Sequence, residues 1–320
     1  GLPDVPRWRY APVGAGMFGG QAAMLLGALG LEVGLVVGLF MTIAGWSAGT
    51  WTLARLVLAE RGATWHARSC LAAMLLGLAG VLCFGGFLLG GSPWWVLFAV
   101  KLGTFGLLLP VYLTVAHRMF PFFAANAVPG YVAWRPMWVL AAAWALAMAH
   151  LVLELLHAHA WLWLVDLPML ALSLAVLWRW WPRGQAPGLL WVLFVGLLWW
   201  PVTFALFSAQ SLAYLLTDAF ILGRAPAHAL FIGVFGSLLV AMVSRVTQGH
   251  SGRPLRMYGL AWWAFVGIQV ATVLRVAAEV ATDMPLWQAL AALAWLGALA
   301  PWVARIGRIY LSPRVDGKPG

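Results

Sequence analysis

The stretch "HALFIGVFGSLLVAMVSRVTQGHSGRPLR" (228–256) changes character in its middle. From His228 to Ser244 it is almost purely apolar; from Arg245 to Arg256 it holds three arginines and a histidine. With a flanking turn, the apolar part is long enough to cross the ~30 Å hydrocarbon core of a bilayer as a helix. A basic loop directly after such a span is what its cytoplasmic end carries. The stretch therefore reads as a membrane span and a loop, and the question is whether the rest of the chain repeats it.

It does. Only 9% of the 320 residues are charged, 64% are hydrophobic and the mean hydropathy is +0.92, whereas a soluble domain of this length carries far more charge. Apolar runs between breakers predict ten spans, near 12–29, 31–54, 69–90, 94–117, 136–156, 160–180, 187–210, 227–247, 258–280 and 286–309. The division between the first two rests on Gly30, which predicts a tight hairpin. Short alternating segments of the kind that build a membrane β-barrel are not seen. The fold class is an all-α polytopic membrane protein, a single transmembrane helical bundle over 1–320.

Charge tests these spans independently. Sixteen of the nineteen basic residues fall on one side: Arg7, Arg9, Arg55, Arg61, Arg68, Arg118, Arg135, Arg179, Arg183, Arg245, Arg253, Arg256, Arg305, Arg308, Arg314 and Lys318. Only Arg224 falls opposite, and Lys101 and Arg275 lie within spans. The excess of basic residues in cytoplasmic loops places both termini in the cytoplasm. The net charge of +10 does not indicate nucleic acid, because the basic residues are spread over separate loops. Cys70 and Cys83 lie about 20 Å apart along one helix and cannot bridge each other.

Charges inside spans are costly unless paired or facing water. Arg275 and Glu279 are four apart and can pair on one helix face. Lys101 is expected to snorkel, and Glu32, Asp166 and Asp218 to reach headgroups or water at the outer ends. Pro121 is expected to end its helix within a turn of His117.

Seven histidines are the main candidates for chemistry, since imidazole ligates haem iron, copper and zinc. His66, His117 and His250 fall near the cytoplasmic surface. His157, His159 and His228 fall near the outer one, with His150 two turns deeper on the same helix face as His157. Those two are about 10 Å apart and too distant for one mononuclear site. Glu154 and His157 form one Glu-x-x-His pair, half of what a carboxylate-bridged di-iron bundle requires. A phosphate-cradling GxxxxGK[ST] loop, a CxxC, an HExxH and a nucleophile elbow are all absent.

Three stretches together resemble one family. "VAHRMFPFFAANAVPG" (115–130), "HALFIGVFGSLLVAMVSRVTQGHSGRPL" (228–255) and "LSPRVDGKPG" (311–320) are similar, in order and spacing, to the NnrS family of bacterial inner-membrane proteins. The resemblance implies a polytopic protein that binds haem and copper and protects against nitrosative stress in denitrifying metabolism, with nitric oxide as a small-molecule ligand. The matched positions are His117, Arg118, Pro121, His228, Arg245, Gly249, His250, Gly252, Arg253 and Pro254. From these and the histidine depths, the candidate cofactor-binding residues are His228, His250, His117, Arg245, Arg253 and Arg118, the arginines as partners for haem propionates. The candidate metal ligands are His117, His228, His250, His150 and His157. Family members have about twelve helices, and "GLPDVPRWRY" (1–10) reads as a loop between helices, so two further N-terminal helices are expected. Two other readings stay open: a transporter of a metal or small solute, and a haem–copper-type oxidoreductase subunit.

Overall fold

In a computed structural model, residues 6–60, 62 and 64–317 are described, Arg7 by its backbone alone. Arg61 and Lys318, which entered the charge count, and the last three residues of the third motif lie outside them. Ten long helices account for the ten expected spans, and no strand occurs among the described residues. They are α1 (Arg7–Ala28), α2 (Val33–Ala59), α3 (Trp65–Leu88), α4 (Trp94–Ala127), α5 (Met137–Leu155), α6 (Trp163–Trp180), α7 (Gly188–Thr217), α8 (Ala225–His250), α9 (Gly259–Ala277) and α10 (Met284–Tyr310). The physical reason is the solvent: hydrocarbon offers backbone N–H and C=O groups no partner, so each segment satisfies its own.

Nine of these helices, α2 to α10, are long and apolar enough to cross a membrane. The chain is a multi-pass membrane protein. Helix α1 has the length but not the hydropathy, because glycines and Gln21 replace the bulky apolar residues found elsewhere. Those glycines interlock it with α2. A Cβ on Gly16 would stand 2.6 Å from the Gly45 Cα, one on Gly27 2.5 Å from the Leu35 N, and one on Gly38 2.5 Å from the Gly20 carbonyl oxygen. Small residues at these crossings let two backbones touch. The expected hairpin is present, with Gly30 at φ 115°.

Two helices contain wide π-helical turns. In α4 these span Leu102–Leu108, and in α8 Ala229–Gly236. Such turns often mark functional sites in helices. Helix α7 continues through Leu198, whose N–H bonds back to the Phe194 carbonyl, although Pro201 follows. Contrary to expectation, Pro121 does not end α4, which continues to Ala127. A proline removes one backbone hydrogen bond, and in a membrane helix that loss is tolerated when neighbouring groups compensate.

The described chain forms two compact units. The first comprises the residues up to Arg118 with Leu140–Ala158, and the second Met119–Val139 with the residues from His159 onward. In the first, α1 packs on α2, α2 on α3, and α3 on α4. In the second, α7 packs on α6 and α8, and α9 on α8 and α10. Its centre is aromatic and aliphatic: Phe120, Trp180, Phe194 and Phe204 are fully buried, with Phe120 against both Trp180 and Phe194.

Candidate functional site

Within the first unit, α3 and α4 run antiparallel and share a polar seam. His66 Nε2 and His117 Nδ1 face each other at 2.9 Å. Three residues along each helix, Ser69 Oγ and Thr114 Oγ1 meet at 2.6 Å in the same register. The hydrogens of this column can be assigned. The Trp144 indole N–H donates to Ser69 Oγ, and the Thr114 hydroxyl donates to the Pro110 carbonyl. Ser69 must therefore donate to Thr114. A fixed polar seam beneath the histidine pair holds the two rings on adjacent helices. His117 is buried and His66 half-buried.

The same unit holds a buried charge cluster. Lys101 Nζ lies 2.6 Å from Glu154 Oε2, and His150 Nε2 lies 3.5 Å from Glu154 Oε1. Phe105, inside the π-helical turns, covers the His150 ring at 4.1 Å between centroids. Lys101 thus does not snorkel: a carboxylate on α5 reaches it first. His157 does not share a helix face with His150. It lies past the end of α5 with φ 55°, exposed, with its ring edge-on to Trp94.

In the second unit, His228 opens α8 just before its π-helical turns. Its Nδ1 lies 2.8 Å from the Arg224 carbonyl oxygen, which can only accept, so Nδ1 carries the hydrogen. In the neutral ring the lone pair then sits on Nε2, the arrangement common to metal-ligating histidines. Arg224 is itself held, since its N–H donates to Glu279 Oε2 at 3.0 Å. The other oxygen of Glu279 accepts from Arg275 Nη1 at 2.6 Å, which makes the expected Arg275–Glu279 pair a real one. Burial raises the Glu279 pKa, but the Arg224 N–H and the Arg275 guanidinium outweigh it and hold the carboxyl below its ordinary value.

At the other end of α8 two of the quoted motifs meet. The Val315 N–H donates to the Ser251 carbonyl, and Asp316 sits against Gly252, whose φ of 71° and lack of a Cβ permit the approach. Gln248 clamps the turn by donating to the Arg256 carbonyl and accepting the Arg256 N–H. Here Arg253 Nη1 is buried with no hydrogen-bond partner among the described residues, a donor placed for an anion. Arg245 stacks over Phe123 at 4.0 Å. His250 and Arg118 are exposed.

A family model, "NnrS protein", matches residues 1–314. The chain belongs to the NnrS family. No curated protein sequence and no solved structure matches it.

In this NnrS-family chain the structure brings together fewer of the expected site residues than their sequence positions suggest. His228 and His250 sit at opposite ends of α8, about 33 Å apart at 1.5 Å per residue, so one cofactor cannot take both. His117 is paired, but with His66, for which the sequence indicates depth alone. The available signal was the matched spacing of His66 and Ser69 on one helix and Thr114 and His117 on the next. Among the described residues no three His, Cys, Asp or Glu side chains cluster to hold a metal. Asp166, expected to reach water, is buried in α6.

Proposed function

We propose that this NnrS-family protein binds haem and copper in the bacterial cytoplasmic membrane and protects the cell against nitrosative stress. The observation that carries the reading is the His66–His117 contact, two imidazole nitrogens converging from adjacent helices. Two ligands about 2.0–2.1 Å from one metal stand about 3.3 Å apart in tetrahedral geometry. The 2.9 Å separation is shorter and is that of a hydrogen bond between the two rings, so the rings would part by a few tenths of an ångström to share an ion that imidazole suits, such as copper. His228, its Nδ1 anchored, would hold haem iron through Nε2, whereas the orphaned Arg253 Nη1, at the opposite end of α8 and too far away to share that haem, would take a separate anion.

Bound haem iron and copper would supply sites at which nitric oxide ligates. The protein's own residues do the rest. Glu279 fixes the Arg224 backbone, Arg224 fixes the His228 tautomer, and the Ser69–Thr114 seam holds the histidine pair. Nitric oxide is small and dissolves in hydrocarbon, so an apolar helical protein needs no polar channel to receive it.

A transporter is the second reading, favoured by the buried Lys101–Glu154–His150 cluster. Intramembrane charges commonly line transport sites. Absorption spectra of the detergent-purified protein, oxidised and reduced, separate the two. The haem reading predicts a Soret band that shifts when nitric oxide is added and is lost in His228→Ala; a transparent protein after growth with excess haem supports the transporter.

A further inference from the structure

Where α4 turns into α5, the segment Val128–Trp134 folds against the chain that follows α6. Together they form an open pocket of about 380 Å3 lined by Tyr131, Trp134 and Trp181, with the exposed Arg179 and Arg183 at its mouth, among others. Its rim is rigid. The Tyr131 hydroxyl donates to the Trp180 carbonyl at 2.9 Å, and the Trp180 indole N–H donates to the Trp134 carbonyl at 2.7 Å. Trp180 itself is among the most deeply buried side chains.

The charge in this cavity is one-sided. No acidic residue lines it, and neither Arg179 nor Arg183 is in an ion pair among the described residues. Arg179 lies over the Trp134 ring at 5.7 Å. Arg183 lies over the Trp178 ring at 5.0 Å and donates from Nη2 to the Trp178 carbonyl at 3.3 Å. Each guanidinium keeps further donors for a partner. Burial pushes the Tyr131 phenol up to about 12, so the pocket gains no negative charge of its own at physiological pH.

We propose that this cavity is a binding site for the phosphate-bearing headgroup of an anionic phospholipid. Two arginines with unspent donors match the two non-bridging oxygens of a phosphodiester. The volume is larger than a phosphate alone needs and lies in the range of small-molecule sites, ~300–1,000 Å3, leaving room for a glycerol headgroup. Position decides between a lipid and free phosphate. The cavity sits at the ends of membrane-spanning helices, beside exposed Trp178, where headgroups lie and tryptophan is enriched. Basic pockets between membrane helices take anionic headgroups for the same reason.

The test uses the 320-residue chain in a mild detergent. Short-chain phosphatidylglycerol, short-chain phosphatidylcholine and inorganic phosphate are titrated separately, with the unfolding temperature and tryptophan fluorescence as readouts. Phosphatidylglycerol should raise the unfolding temperature saturably and phosphatidylcholine should not. Arg179→Gln/Arg183→Gln should weaken the apparent affinity by about tenfold or more while folding normally without lipid. Arg179→Lys/Arg183→Lys, which keeps the charge but loses the fork, should fall between, and Arg305→Gln/Arg308→Gln should behave as wild type. Equal stabilisation by both lipids, or an unchanged response in the Gln variant, overturns the site. A full response to inorganic phosphate alone overturns the lipid assignment, as does loss of haem rather than lipid from the Gln variant.

Discussion

Lys101 Nζ stands 2.6 Å from Glu154 Oε2, a cation on α4 and a carboxylate on α5 meeting inside a membrane unit. Both are largely withdrawn from solvent, and His150 approaches the second carboxylate oxygen. Removing one member of such a pair leaves an uncompensated charge, which costs about 3–5 kcal/mol. Lys101→Met and Glu154→Leu should each lower the unfolding temperature in detergent markedly. The double variant should be more stable than the sum of the two losses predicts. Additive losses would mean that the two side chains do not interact.

The Glu279 carboxylate predicts a pH dependence. Its pKa is lower in the folded protein than in the unfolded chain, so the unfolded state binds a proton first as pH falls. The stabilisation is therefore complete above the ordinary carboxylate value of 4.5 and is lost as pH drops below it, through the lower folded value. Glu279→Gln should flatten this acid limb of a stability–pH curve. It should also loosen His228, whose anchor is the carbonyl of the residue that Glu279 holds.

The interlock of α1 and α2 predicts a contrast between glycines of one helix. Gly16→Val would drive side-chain atoms into the Gly45 backbone and should cost about 1–3 kcal/mol or more. At Gly14 nothing lies within 4 Å of an added Cβ. Gly14→Ala should be neutral or stabilising by up to about 1 kcal/mol, through better helix propensity. Thermal unfolding of both variants checks the pair.

The helices were legible because bilayer thickness writes itself into the length of an apolar run; all ten appear where the runs predict them. Their ends were less legible, as Pro121 shows, since a run marks the hydrocarbon and not where hydrogen bonding stops. Arg275 and Glu279 were legible as a pair because they share a helix. Lys101 was misread because its partner, fifty-three residues away, is set by packing that no local period records. The His66–His117 contact, between helices fifty-one residues apart, is hidden for the same reason. The π-helical turns in α4 and α8 have no signature in "LGTFGLL" or "ALFIGVFG", which read as ordinary apolar helix.

If the His66–His117 pair takes copper, copper content after purification shows it without further inference. The protein would be loaded with Cu(I) under reducing conditions, desalted and assayed for metal per chain, beside His66→Ala, His117→Ala and the double variant. The account predicts near one copper per wild-type chain, lost to a similar extent in each single variant, with little further loss in the double. Wild-type protein without copper, or variants that keep it all, would contradict the account.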